Sequence, residues 1–261
     1  MKKNLILLLV LLAVGVSGCA RAFVSARTAE TITPPLEFIP EKEKLTYQIS
    51  WWGIPVSTAT LESSERSKEG EMTLSFNSSS NWYLKALYPV RVKLTSVIDA
   101  DTVSPKRFEA YVKRRWKVHQ SVVVFDREAG TAFHSLPKGK TATVPVVPET
   151  QDGISLVYYA RTLPFPLGKT IPFKVTADGK NWDLKGEIVQ ASVIRIGSLG
   201  KWPAIEGRLE LAYPVPFFHG AKARVWFSAD EERIPLLAKI SSRIGPVSVV
   251  LIRRSVEAST D

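Results

Sequence analysis

From Leu45 onward the chain alternates apolar and polar residues, with Leu45, Tyr47, Ile49 and Trp51 on one side and Thr46, Gln48 and Ser50 on the other. A period of two predicts a half-buried strand. Gly53-Ile54-Pro55 marks a turn, and a weaker strand follows over 56–61. The same reading predicts strands over 72–77, 90–98, 107–118, 121–126, 131–136 and 141–146, then over 170–177, 181–190, 195–197, 204–212, 221–228, 236–242 and 247–253. Turn-forming residues separate them at Glu128-Ala129-Gly130, Lys138-Gly139, Asp178-Gly179 and Asp230-Glu231. Many short strands in series predict a mainly β fold, an antiparallel meander curled into a sandwich or an open barrel.

One segment departs from this period. Near residues 152–162, Ile154, Val157, Tyr158 and Arg161 fall on one stripe at helical spacing, Asp152 is placed to cap the start, and Pro164 stops it. A helix this short cannot stand alone in water, so it packs on the sheet or plugs an open end. Arg161 is expected to tie it to sheet carbonyls or to a carboxylate such as Asp230. Residues 44–255 read as a single β domain, either one curled body or two packed half-sheets divided near 150–165, and residues 256–261 as a tail.

The first residues are an address. Lys2 and Lys3 precede an apolar run of about a dozen residues, short for a bilayer span of roughly 20, and the run ends in Val16-Ser17-Gly18-Cys19. Small residues followed at once by cysteine resemble the lipobox of bacterial lipoproteins, in which the thiol is diacylated and the signal removed before it. The alternative is an ordinary soluble signal containing a cysteine. Cys19 is the single cysteine of the chain, which favours the lipobox. Residues 1–18 are thus a lipoprotein signal peptide and 19–43 a lipidated tether, stiffened by Pro34, Pro35 and Pro40. Two or three acyl chains, at about 0.8 kcal/mol per buried methylene, anchor a protein without a spanning helix. By the same resemblance, Ala20 rather than Asp after the cysteine favours the outer membrane, with the body on its periplasmic face.

Composition narrows the chemistry. The 261 residues are 45% hydrophobic and 23% charged, the profile of a folded globular chain. One cysteine excludes a disulfide framework and paired-cysteine zinc sites, and the histidines are scattered. No G-x-S-x-G elbow, phosphate loop, dinucleotide fingerprint or metal-ligand spacing is present. His119, His134 and His219 could each pair with a distant serine, and Glu109, Asp126, Asp152, Asp183 and Asp230 could supply a carboxylate pair. Strand ends and turns explain these residues more simply, so no enzyme and no cofactor are expected.

Charge has a functional slope. Removing Lys2 and Lys3 with the signal lowers the formal charge from +10 to +8. Residues 81–120 hold Lys85, Arg91, Lys93, Lys106, Arg107, Lys113, Arg114, Arg115 and Lys117 against Asp99, Asp101 and Glu109. Along the strand predicted over 107–118, alternation sends Arg107, Lys113, Arg115 and Lys117 to one face and Phe108, Ala110, Val112, Trp116 and Val118 to the other. This basic stripe suits an anionic ligand. Its alternative is a solvated face. Trp51-Trp52 and Trp82-Tyr83 cannot all enter one core and are candidate rim residues of an apolar groove.

A resemblance then emerges. Leu45-x-Tyr47-x-Ile49-x-Trp51-x-Gly53-Ile54-Pro55-Val56, Ser104-Pro105-x-x-Phe108, Val124-Phe125-Asp126, Gln151-Asp152-Gly153-Ile154-Ser155-x-x-Tyr158-Tyr159-x-Arg161 and Val225-Trp226-Phe227-Ser228-x-Asp230-x-x-Arg233-Ile234-Pro235 resemble, in order, the landmarks of a bacterial exported-protein family, domain of unknown function 3108. Pro55 and Gly153 depart from its pattern. The resemblance implies a mostly antiparallel β protein of the cell envelope and carries no activity. It covers Asp152, Arg161, Trp226 and Arg233, read as structural: a cap, a tie, a core anchor and the start of a strand.

The functional expectation is a non-enzymatic outer-membrane lipoprotein that binds an amphipathic or anionic envelope molecule, lipid or lipopolysaccharide-like, as an assembly or transport accessory. The alternative is a structural lipoprotein docking onto an envelope protein through its sheet edge or basic face, and an envelope hydrolase stands third. Nucleic acid is excluded by compartment.

Overall fold

The computed structural model describes residues 39–210, 222–242 and 245–257. The signal, the acylation site and most of the tether lie outside them. Among the described residues fifteen strands join in one sheet. The first run comprises β1 (Glu43–Trp51), β2 (Ile54–Ser63), β3 (Glu71–Ser80), β4 (Val90–Asp99), β5 (Pro105–Arg114), β6 (Lys117–Asp126), β7 (Thr131–Leu136) and β8 (Lys140–Pro145). The second comprises β9 (Thr150–Gln151), β10 (Thr170–Ala177), β11 (Lys180–Ile196), β12 (Gly200–Glu210), β13 (Lys222–Ser228), β14 (Pro235–Ser242) and β15 (Gly245–Val256). β1 pairs antiparallel with β15 in the middle of the sheet, and each run meanders outward from that seam, to β8 on one side and β9 on the other. All pairings are antiparallel except β9 with β10. The sheet is mainly β and open, with β8 and β9 as its edges.

Its curvature follows from the residue pattern. Leu45, Tyr47 and Ile49 on β1, Leu74 and Phe76 on β3, Val92 and Leu94 on β4, and Phe108, Ala110 and Val112 on β5 are all buried on one continuous face. A sheet of this breadth cannot leave that face in water, so it curls around it. Bulges at Thr46/Tyr47, Ile49/Ser50, Val97/Ile98, Ile188/Gln190 and Trp226/Phe227 supply local bends.

The two outer regions of the open sheet meet through side chains instead of a ladder. The β10–β11 hairpin tip reaches β7, where the Gly179 N–H donates to His134 Nδ1 at 3.2 Å and His134 Nε2 lies 2.9 Å from Thr176 Oγ1. Gly179 has φ +73, and a Cβ there would sit 2.9 Å from the Ala142 Cβ, so the close approach requires glycine.

The expected helix forms as α2 (Ser155–Arg161), and an unexpected one, α1 (Trp82–Leu87), bridges β3 and β4. Three readings need correction. The strand predicted over 107–118 is two strands joined by a turn at Arg115-Trp116, because Arg115 takes φ 50, a conformation no glycine or asparagine announces here. Trp116 and Val118 are consequently exposed instead of interior. The segments 181–190 and 195–196 belong to one 17-residue strand, β11, and Gly197 opens the short turn that follows it.

Candidate functional site

α2 lies against the inner face at the end of the sheet where β1 begins and β15 finishes. Asp152 starts it: Oδ1 accepts the N–H groups of Ile154 (2.8 Å) and Ser155 (3.0 Å), while Oδ2 accepts the Ser96 hydroxyl at 2.6 Å. The Asp152 N–H in turn donates to Ser155 Oγ. Burial pushes the Asp152 carboxyl above the usual carboxylate range, opposed by these hydrogen bonds.

Arg161 ends the helix inside the protein. Its guanidinium grips Glu43 at 2.5 and 3.2 Å, and its Nε donates to the Glu232 carbonyl at 3.1 Å. Both members of the pair have 0% side-chain exposure. Arg254 completes the network, donating to Glu43 Oε1 at 3.1 Å and to Glu232 Oε2 at 2.8 Å. The tie expected of Arg161 therefore exists, but its carboxylate is Glu43 and not Asp230, which accepts instead from Ser228 Oγ and the Arg233 N–H. Glu43 is separated from Arg161 by 118 positions, yet it left a trace in the sequence: it is in phase with the inward set Leu45, Tyr47 and Ile49. Tyr47 donates to the Pro235 carbonyl at 2.9 Å, and desolvation raises its phenol. Together these contacts close one end of the curled sheet.

Between α2 and β10–β14 a cavity of about 150 Å³ remains. Leu156, Val157 and Ala160 of the helix line it together with Phe173, Leu184 and Val225, and among the described residues Arg208 is the only charged one of the lining. Two glycines shape the wall. A Cβ on Gly186 would strike the Phe173 ring at 2.9 Å, so that ring lies flat on the strand, whereas a Cβ on Gly207 would meet nothing closer than 3.8 Å. A cavity near 150 Å³ accepts a benzene-sized group, and drug-sized sites begin near about 300 Å³. This one therefore takes a short apolar segment, and its chemistry is burial.

The other sequence-derived candidates lie elsewhere. Arg107 and Lys113 share the outer face of β5, Arg107 paired with Glu109 at 2.7 Å. Arg115 sits in the hairpin turn and Lys117 opens β6, so the four do not form one strand stripe. Trp51, Trp52 and Trp82 are exposed and Tyr83 is half-buried at the end of the sheet away from α2, and none lines the cavity. Trp226 is buried, with the Arg224 guanidinium 4.8 Å from its ring centroid. Arg233 does not start a strand: it sits at φ 45 in the turn before β14, donates to the Leu163 carbonyl at 2.8 Å and covers the Phe165 ring. His134 serves the interior clasp, and burial pushes it down to about 4. His119 is lowered by burial and by Arg114 and Lys117. His219 lies outside the described residues. Arg127, unflagged by the sequence, anchors the approach to β9 by donating to the carbonyls of Pro105, Val147 and Thr150.

The order of β1, the capped α2 and the Trp226–Arg233 turn along one curled sheet can now be set beside known proteins. The sequence model of the family described as protein of unknown function DUF3108 matches residues 46–252. The chain belongs to that family. No curated protein matches this DUF3108 chain. A crystal structure of a β-barrel-like protein of domain of unknown function DUF1849 from Brucella abortus is similar with TM-score 0.56 and 12% identity, covering 85% of this chain and 100% of that one. At such identity the likeness shows the fold alone. Two weaker likenesses are a DUF1089 family protein from Pseudomonas aeruginosa (TM-score 0.38, 10% identity, 69% of this chain and 88% of that one) and a protein designated as exported, with a YmcC-like fold, from Bacteroides fragilis (TM-score 0.35, 11% identity, 84% and 99%).

Proposed function

We propose that this DUF3108 chain is an exported lipoprotein, acylated at Cys19 and held on the periplasmic face of the outer membrane. Its curled sheet receives the apolar part of an amphipathic envelope molecule, as a transport or assembly accessory that catalyses no reaction. The observation that carries this reading is the apolar cavity between α2 and β10–β14, whose wall includes Gly207, a position with room for a side chain. At about 150 Å³ the cavity suits a segment of an acyl chain, with the remainder of the ligand outside it. Docking through a bare sheet edge has less support, because edge strand β8 is short, opens with Lys140 and ends with Pro145, residues that defend an edge against pairing.

The test uses the chain from residue 19 with Cys19→Ser, so that no acyl group is attached. Mass spectrometry of an organic extract should show a co-purifying amphiphile, and a single-chain lipid should raise the melting temperature. Gly207→Val should abolish both while leaving the fold intact, since a Cβ there has room. No extractable amphiphile together with no lipid-dependent shift would remove the carrier reading.

A further inference from the structure

At the end of the sheet opposite α2, the β1–β2 turn, α1 and the β5–β6 turn are neighbours, because antiparallel pairing returns β1, β3 and β5 to the same edge where β2, β4 and β6 begin. The connections themselves touch. The Asn81 side chain donates to the Pro55 carbonyl at 2.8 Å and the Arg115 N–H to the Pro89 carbonyl at 2.8 Å. Four inter-strand steps of about 4.8 Å set the width from one turn to the other near 19 Å.

This edge carries exposed large apolar residues, most of them aromatic. Trp82 is 83% exposed and Trp116 75%, with Trp51, Trp52, Ile54 and Tyr88 also open to solvent. Single exposed aromatics are ordinary on soluble proteins, but a cluster at one pole is not. Between the aromatics stand Lys85, Arg91, Lys93, Lys113, Arg115 and Lys117, and residues 50–56, 78–93, 111–120 and 245–248 contain no aspartate or glutamate. Arg115 lies over the Trp116 ring at 4.2 Å, joining charge and aromatic in one projecting tip.

The turns at this edge have tight backbones. Trp52 at φ 53 and Arg115 at φ 50 both occupy left-handed positions of tight hairpin turns. Such positions normally hold glycine or asparagine, and a bulky residue there is strained. Left-handed non-glycine residues also occur at Lys42, Val103, Lys138, Asp178 and Arg233, and the Trp52 indole packs over Gly245, so at this edge the turns serve to project Arg115 and Trp116.

We infer that this edge is a docking surface for a phospholipid bilayer bearing anionic headgroups. Indole and phenol rings prefer the boundary between headgroup and acyl chain, where an apolar body meets water. Each lysine or arginine held near an anionic surface strengthens binding roughly fivefold, and the four segments that carry these residues bring no carboxylate to oppose it. The surface is independent of the cavity and of acylation at Cys19. β1 separates it from Glu43 by eight residue steps of about 3.4 Å, close to 27 Å, so it lies at the pole away from where the tether enters the fold.

The experiment uses the chain from residue 19 with Cys19→Ser and sedimentation with vesicles of phosphatidylcholine alone or with phosphatidylglycerol added. The chain should partition onto the anionic vesicles only, with a blue shift of tryptophan emission and a marked loss of binding in 0.5 M salt (about 4 Å screening length). Trp82→Ser with Trp116→Ser should weaken partition at least about tenfold, and Lys85→Glu with Lys117→Glu by more, each with an unchanged melting temperature. The inference is overturned if anionic vesicles fail to bind, if either double variant binds as the parent does, or if binding leaves the tryptophan emission unmoved, which would mark a patch that collects soluble anions. Gly207→Val should bind vesicles normally, so failure of the cavity reading and failure of this one are separable.

Discussion

The two poles of the curled sheet use the same residue types in opposite ways. At the α2 pole, Arg161 and Glu43 are wholly buried and satisfied by one another, by Arg254 and by the Glu232 carbonyl. At the far pole Arg115 and Lys117 stand in water beside exposed tryptophans, with no acidic residue in the turns that carry them. Buried charge demands geometry, because desolvation makes an unpaired ion intolerable. Exposed charge demands nothing of the fold and is free to serve a partner. One pole therefore holds the structure together, and the other is tuned at little structural cost.

Separating the poles by mutation should give the largest effect at the network. Arg161→Met or Glu43→Gln should lower unfolding free energy by roughly 3–5 kcal/mol, because each strands a buried polar partner. Glu43→Gln combined with Arg161→Met should recover much of that loss. Urea denaturation of the two singles and the double checks this, and additive losses would break the contrast.

The next effect belongs to the clasp. His134 is pushed from an ordinary value near 6.5 to about 4 by burial, and its Nδ1 already accepts the Gly179 N–H. Its folded pKa is depressed, so the stabilisation is complete above pH 6.5 and is lost as pH falls through 4. The loss reaches up to about 3 kcal/mol. His134→Gln should remove that component from the difference in melting temperature between pH 7 and pH 4. An unchanged pH profile would place the proton dependence elsewhere.

The smallest effect is expected at the exposed pole. Trp116→Ser should change stability by no more than about 0.5 kcal/mol. Arg115→Gly should raise it by some tenths of a kcal/mol, through relief of a left-handed residue less the entropy of glycine. A variant that gains stability while losing vesicle binding would sharpen the division between the poles. A large destabilisation there would erase it.

What could be read beforehand followed the range of each interaction. Most strands, the helix after Asp152 and its cap were legible, since each depends on neighbours a few positions away. The hairpin at Arg115-Trp116 was not, because neither residue is a turn former and local alternation runs through it unbroken. α1 was missed for a similar reason, its aromatic and small residues having no clear helical stripe in so few positions. Glu43 was legible only as an acid in phase with an apolar strand. Its partner could not be named, because pairing across 118 positions depends on where the helix lands.

The alternation of residues by itself determined that the chain forms strands, that one apolar face must be buried, and that a short capped helix interrupts the series, because rotamer, capping and burial preferences act locally. Only the tertiary structure decided that β1 and β15 join two meanders into one sheet, that the basic residues of β5 and β6 gather with three tryptophan-bearing connections at one pole, and that a cavity opens beside Gly207. Those outcomes depend on strand order and on which surfaces meet after the sheet curls, and the free energy of each contact is set by partners that no stretch of neighbouring residues contains.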